Sequence, residues 1–126
     1  MVKEITWDYI NKACKLLRDR IIKDGKEFDY VYGIPRGGLI IGVLMSHLLN
    51  IPLILNPKDR VLICDDITDS GLSMKINAIP NSITLTIHKD INSKFTPDYY
   101  YEETDEWVLF PWETLNTSKI DYKDKT

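Results

Sequence analysis

Apolar positions recur at helical spacing near the start of the chain, where Tyr9, Ile10, Ala13, Leu17 and Ile21 line one face and Thr6 stands where an N-cap belongs. The period then changes. Phe28, Tyr30 and Val31 read as a strand that ends in the glycine-rich turn Gly33-Ile34-Pro35-Arg36-Gly37-Gly38. Leu39, Ile40, Ile41, Val43, Leu44, Leu48 and Leu49 follow too continuously for a helix with one wet face, so a buried helix is expected there. Ile51, Leu53, Ile54 and Leu55 read as one strand, and Asn56-Pro57-Lys58-Asp59 as a turn leading straight to Val61. Val61 to Cys64 have the unbroken apolar character of a strand covered on both faces, as in a parallel sheet. Gly71 onward, with Leu72, Met74 and Ile76, opens a short helix, and Ile83 to Ile87 alternate with Thr as a strand ending at His88-Lys89.

Alternating strands and helices imply one α/β domain, residues 1–116, with a largely parallel five-stranded sheet flanked by helices on both faces. Residues 117–126 are expected to form a polar, mobile tail. A chain of 126 residues can form one core without staples. Its formal net charge of −3 and scattered lysines argue against nucleic-acid binding, which needs a concentrated basic surface. Cys14 and Cys64 fall on a helix and in a strand, as buried apolar residues of a reduced, cytoplasmic protein would. The apolar run from Leu39 to Leu49 is too short and interrupted to cross a bilayer, so no membrane association is expected. Asn116-Thr117-Ser118 matches a glycosylation pattern but has no secretory context.

The chemistry concentrates after Cys64. An apolar strand delivers two adjacent carboxylates, Asp65 and Asp66, into the turn Ile67-Thr68-Asp69-Ser70-Gly71-Leu72-Ser73, which then opens a helix. Backbone N–H groups from Thr68 to Ser73 at a helix N-terminus favour a phosphate dianion. The hydroxyls of Thr68, Ser70 and Ser73 add donors, and Gly71 permits close approach and positive φ. Carboxylates beside a phosphate would repel it, so Asp65 and Asp66 are expected to face sugar hydroxyls or a Mg²⁺ ion held through water. This is the layout of a site for a phosphorylated sugar. In the earlier turn, Gly37 and Gly38 let backbone amides cradle an anion, and Arg36 supplies a permanent charge with a planar fork suited to phosphate. Receiver domains also carry an Asp pair after an apolar strand, but after their first strand rather than at mid-chain. No Walker A pattern occurs.

The stretch Val61 to Ser73 resembles the signature of the type I phosphoribosyltransferases for phosphoribosyl diphosphate (PRPP). The resemblance implies that Asp65 and Asp66 bind the ribose hydroxyls, that Asp69 is the general base near the purine N7, and that Ser70, Gly71, Leu72 and Ser73 form the 5′-phosphate loop. It also implies that Arg36, Gly37 and Gly38 hold the diphosphate. Closest are the microbial 6-oxopurine enzymes, in which a Lys after the next strand contacts the purine O6, an aromatic residue stacks on the ring and the following backbone reads its edge. By that resemblance Lys89 binds O6, Trp107 stacks and Val108 offers backbone contacts. His88 touches the purine edge or merely ends its strand. The implied reaction is transfer of phosphoribose from PRPP to guanine, hypoxanthine or xanthine with Mg²⁺, in a homo-oligomeric cytoplasmic enzyme.

One departure from the family bears on catalysis. Ordinary members carry a long mobile loop ahead of the PRPP strand that closes over the substrate; here only Ile51 to Arg60 fill the interval. A neighbouring subunit supplying the cover, Tyr99 to Tyr101 swinging across, and a PRPP- or nucleotide-binding regulator with little turnover are the alternatives this leaves open.

Overall fold

In the computed structural model, which describes residues 2–68 and 71–117, an α/β fold is built around one parallel sheet. The chain runs β1 (Val2–Glu4), α1 (Trp7–Lys23), β2 (Tyr30–Gly33), α2 (Gly37–Leu49), β3 (Leu53–Ile54), β4 (Val61–Thr68), α3 (Leu72–Asn77), β5 (Ile83–Asp90), β6 (Tyr99–Thr104) and β7 (Trp107–Leu109). The main sheet has the order β3-β2-β4-β5-β6 with every neighbouring pair parallel. No helix among the described residues is long and apolar enough to cross a membrane.

Helix α1 starts where its first polar residue can cap it: Thr6 is extended, and its hydroxyl accepts a hydrogen bond from Tyr9 N at 3.1 Å. Its buried residues, Ile10, Ala13, Cys14, Leu17 and Ile21, recur every three or four positions, so one stripe faces the sheet. That stripe meets Ile41 and Met45 of α2 and Val31, Leu62, Cys64, Leu85 and Ile87 of the strands in the principal core. Met74 of α3 joins a smaller cluster with Ile34, Val61 and Ile63, so helices cover both faces. Both cysteines are free and buried, and burial pushes the Cys14 thiol up to about 12.

Three local expectations change, and one element is new. The strand expected over Val61 to Cys64 continues to Thr68, because the backbone past Cys64 stays in register with β5 (Asp65↔Thr86, Ile67↔His88, Thr68↔Lys89) instead of turning at the acidic pair. The strand expected over Ile51 to Leu55 shrinks to Leu53–Ile54, with Leu55 78% exposed: at the sheet edge only the two residues opposite Val31 and Tyr32 find a ladder partner. Tyr99 to Tyr101 cannot swing across the site, since they belong to β6 and pair with β5. A second, two-stranded parallel sheet joins β1 to β7, with Lys3 opposite Val108. The tail expected to be mobile lies, from residue 118, outside the described residues.

Candidate active site

All five strands of the main sheet point the same way, so their C-terminal ends share one edge. From β2 the chain leaves through α2 toward β3, and from β4 it leaves through α3 toward β5 on the other side. The two departures diverge between neighbouring strands, which opens a crevice beyond their ends, the usual ligand position in open α/β sheets.

The turn after β2 is bound to β4: Ile34 N donates to Cys64 O at 2.9 Å, and the Pro35–Arg36 peptide is cis. Arg36 is the N-cap of α2, and Gly37 and Gly38 are its first residues, both buried. The glycines are required by proximity. A Cβ on Gly37 would lie 1.9 Å from Asp66 Oδ2, and one on Gly38 would lie 2.6 Å from Cys64 O and 2.9 Å from Asp65 Cα. The glycine turn therefore rests directly on the acidic pair.

Asp65 and Asp66 are almost wholly buried, at 0% and 1% exposure. One oxygen of each is fixed by a local amide: Asp65 Oδ1 accepts from Asp66 N at 2.8 Å, and Asp66 Oδ1 from Ile67 N at 2.9 Å. These bonds orient the carboxylates and compensate part of the cost of burying charge. As magnesium ligands the two carboxylates fit an ion that brings its own water and substrate oxygens. Among the described residues no group of three or more His, Cys, Asp or Glu converges.

Past the pair, Thr68 is buried and its hydroxyl has no hydrogen-bond partner among the described residues. Asp69 and Ser70 lie outside the described residues. Gly71 has φ of +83°, a value L side chains rarely adopt, and a Cβ there would meet Phe95 Cβ at 2.4 Å. Leu72 and Ser73 open α3, where Lys75 N closes the first turn on Gly71 O at 3.1 Å. Lys89 is 7% exposed at the end of β5, opposite Thr68, and its ammonium reaches Asp90 O at 3.4 Å.

Trp107 and Val108 are not part of the main sheet; they lie on β7, with Val108 fully buried in the core and Trp107 half-buried. The chain beyond them returns to the crevice, where Arg36, Ile40, Trp112, Glu113 and Thr117 line a cleft of about 200 Å³. Trp112 stacks on Phe110 at 5.1 Å between ring centres and meets Trp7 at 5.6 Å. Its place beside Arg36 could not be read from sequence, where it was indistinguishable from a core aromatic.

His88 ends up in the interior instead of at a ligand edge. It is fully buried between Tyr9 and Phe110, with Nε2 2.8 Å from the Tyr9 oxygen. The Tyr9 hydroxyl donates to Glu102, so His88 Nε2 is the donor toward Tyr9. Burial first, and the charge of Lys3 second, pull His88 down to about 4 against the opposing effect of Glu102, which keeps the ring neutral near pH 7.

Comparison with known proteins agrees with this geometry. No family model matches the chain. A xanthine-guanine phosphoribosyltransferase of Gluconobacter oxydans is 26% identical over 140 residues, covering 87% of this chain and 83% of that protein. A purine phosphoribosyltransferase of Pyrococcus horikoshii superposes with a TM-score of 0.78 at 25% identity, covering 90% of this chain and 95% of the other. The chain is a phosphoribosyltransferase, similar over most of its length to purine-specific enzymes. A Helicobacter pylori xanthine-guanine-hypoxanthine enzyme shares the fold of this phosphoribosyltransferase, with a TM-score of 0.80 over 97% of the chain at 15% identity. In this phosphoribosyltransferase only residues 55–60 connect β3 to β4, too few for a loop that folds over the crevice.

Proposed function

We propose that this phosphoribosyltransferase moves the phosphoribosyl group of PRPP to a 6-oxopurine base, guanine, hypoxanthine or xanthine, with release of diphosphate. The observation that carries the reading is the seating of Gly37 and Gly38 on Asp66 and Asp65, with room for no side chain between them. A diphosphate held by the first turn and a ribose held by the second would share one anomeric carbon at that junction. The purine part of the reading draws on the names of the relatives and on the order Lys89, Trp107, Val108 behind the PRPP turn.

In this reading Arg36 and the Gly37 and Gly38 amides take the leaving diphosphate, a heavily anionic group that fixed donors stabilise as it departs. Asp65 and Asp66, held by Asp66 N and Ile67 N, accept from the ribose hydroxyls and favour the positive charge that develops on the sugar ring. Thr68, Ser70, Gly71, Leu72 and Ser73 bind the 5′-phosphate, for which the unpartnered Thr68 hydroxyl is a ready donor. Asp69 takes the purine proton as the new bond forms. Lys89 donates to O6, the Trp107 ring covers the base and the Val108 backbone reads its edge. Asp65 and Asp66 would hold Mg²⁺ through water, and the ion would supply charge neutralisation for the diphosphate. Most of the acceleration then comes from orientation, since the reacting atoms meet in a crevice whose walls are strand ends. A cytoplasmic setting and an assembly of identical subunits belong to the same reading.

The test is incubation of the purified chain with PRPP, Mg²⁺ and each nucleobase, following nucleotide and diphosphate by chromatography. Stoichiometric nucleotide and diphosphate with a 6-oxopurine are expected. Binding of nucleoside monophosphate with no product from any base would refute the transferase and favour a regulator.

A further inference from the structure

The residues assigned to the purine stand on two different sheets. Lys89 ends β5 in the five-stranded sheet, whereas Trp107 and Val108 lie on β7, whose ladder partner is β1. Backbone ladders fix spacing within each sheet; between the sheets the chain crosses from β6 to β7 through residues 105–106, and the remaining ties are made by side chains. Ile5, Val108 and Phe110 bury apolar surface against the core, but such burial is non-directional and does not by itself fix a distance to a fraction of an ångström.

A directional tie crosses that gap. Lys3, the register partner of Val108, places Nζ 2.7 Å from Glu102 Oε1 on β6. The same oxygen accepts from the Tyr9 hydroxyl of α1 at 2.5 Å and lies 3.4 Å from Nε2 of His88, the residue before Lys89 and the register partner of Glu102. Tyr9 closes the figure through His88 at 2.8 Å, and the Lys3 ammonium stands 5.8 Å from the centre of the Tyr9 ring. One carboxylate oxygen thus accepts from β1 and α1, and Tyr9 carries the connection on to His88 of β5. The hydrogen bond from Lys3, then that from Tyr9, hold Glu102 down to about 2, so the carboxylate is charged throughout the physiological range.

We propose that Glu102 is a positioning residue for the purine subsite, fixing through Lys3, Tyr9 and His88 the distance between β7, which carries Trp107 and Val108, and Lys89 at the end of β5. The inference rests on the purine reading given above. Its side chain is 45% exposed and that of Lys3 is 32% exposed, so removing either leaves the fold largely intact while releasing the tie.

The experiment compares guanosine 5′-monophosphate with ribose 5-phosphate, which carries the same phosphate and sugar without the base. Glu102→Ala and Lys3→Met should each weaken the nucleotide by about three- to tenfold, the range of one lost directional bond, and ribose 5-phosphate by less than about twofold. Amides of β1 and β7 should exchange with solvent about tenfold faster in both variants, with those of β2 and β4 unchanged. Glu102→Gln, which still accepts from Tyr9, should fall between the variants and the native protein. Equal weakening of the two ligands, or native exchange rates in β1 and β7, would overturn the role of Glu102 while leaving the purine reading standing. Native protein that binds the nucleotide no better than ribose 5-phosphate would overturn the purine reading and this inference together.

Discussion

Gly37→Ala is the most direct probe of the junction on which the site depends. The added methyl carbon would stand 1.9 Å from Asp66 Oδ2 and 2.6 Å from its Cγ, so the carboxylate must move. Asp66 is 1% exposed and its other oxygen accepts from Ile67 N at 2.9 Å, so that movement strains or breaks a buried, charge-assisted hydrogen bond. Overpacking contributes about 1–3 kcal/mol and the displaced bond about 1–2 kcal/mol, giving a loss of about 2–5 kcal/mol. In a domain of this size each kcal/mol lowers Tm by about 3–5 °C, so a drop of about 6–25 °C is expected. The decisive assay is a double-mutant cycle by urea denaturation. With Asp66→Ala as background the two closest atoms are gone and Asp66 Cβ stands at 3.2 Å, and the same glycine substitution should then cost less than about 1 kcal/mol. Equal losses in the two backgrounds would refute the contact between turn and carboxylate. In parallel, calorimetry should show PRPP affinity falling with Gly37→Ala at temperatures where the variant is fully folded.

Other outcomes follow from single residues. Asp69→Asn should lower turnover by about 10²- to 10⁴-fold while changing PRPP and nucleotide binding little, and equal losses in both would remove it from the proton-transfer role. Trp107→Ala should weaken purine binding by about 1–2 kcal/mol and leave PRPP affinity intact; unchanged purine affinity would make that ring a packing element only. His88 has its pKa lowered from 6.5 to about 4 in the fold, so the unfolded chain binds the additional proton between those values. Stability should therefore fall as pH drops from 6.5 toward 4, by up to about 2–3 kcal/mol, and the slope over that window should flatten in His88→Phe. Denaturation midpoints at pH 7 and pH 4.5 measure it, and an unaltered slope would show that His88 is not the group responsible.

Much of the candidate site is legible in the sequence. The two carboxylates, the glycine turns and the helix start after Gly71 each follow from local residue chemistry, and the structure brings the turn at Gly37 and Gly38 onto Asp65 and Asp66. The end of β4 at Thr68 departs from the local residue chemistry for a physical reason. Asp, Thr and Ser favour turns in isolation, yet a strand between two parallel partners keeps its ladder as long as its backbone groups find acceptors, and here that continues to Thr68. Val2–Glu4 and Trp107–Leu109 are each three residues long, too short to show a period, and become strands only because the far ends of the chain meet.

The sequence alone determined the alternation of strand and helix, the parallel sheet and the two glycine-bearing turns after β2 and β4, because these depend on periodicity and on what glycine, carboxylate and amide can do over a few residues. The tertiary structure alone decided which groups touch. His88 became a buried neutral ring, Trp112 came beside Arg36, and Lys3 reached Glu102 across the width of the fold. Those contacts join residues far apart in the chain, and their distances are set by the packing of whole elements, a quantity no local pattern encodes.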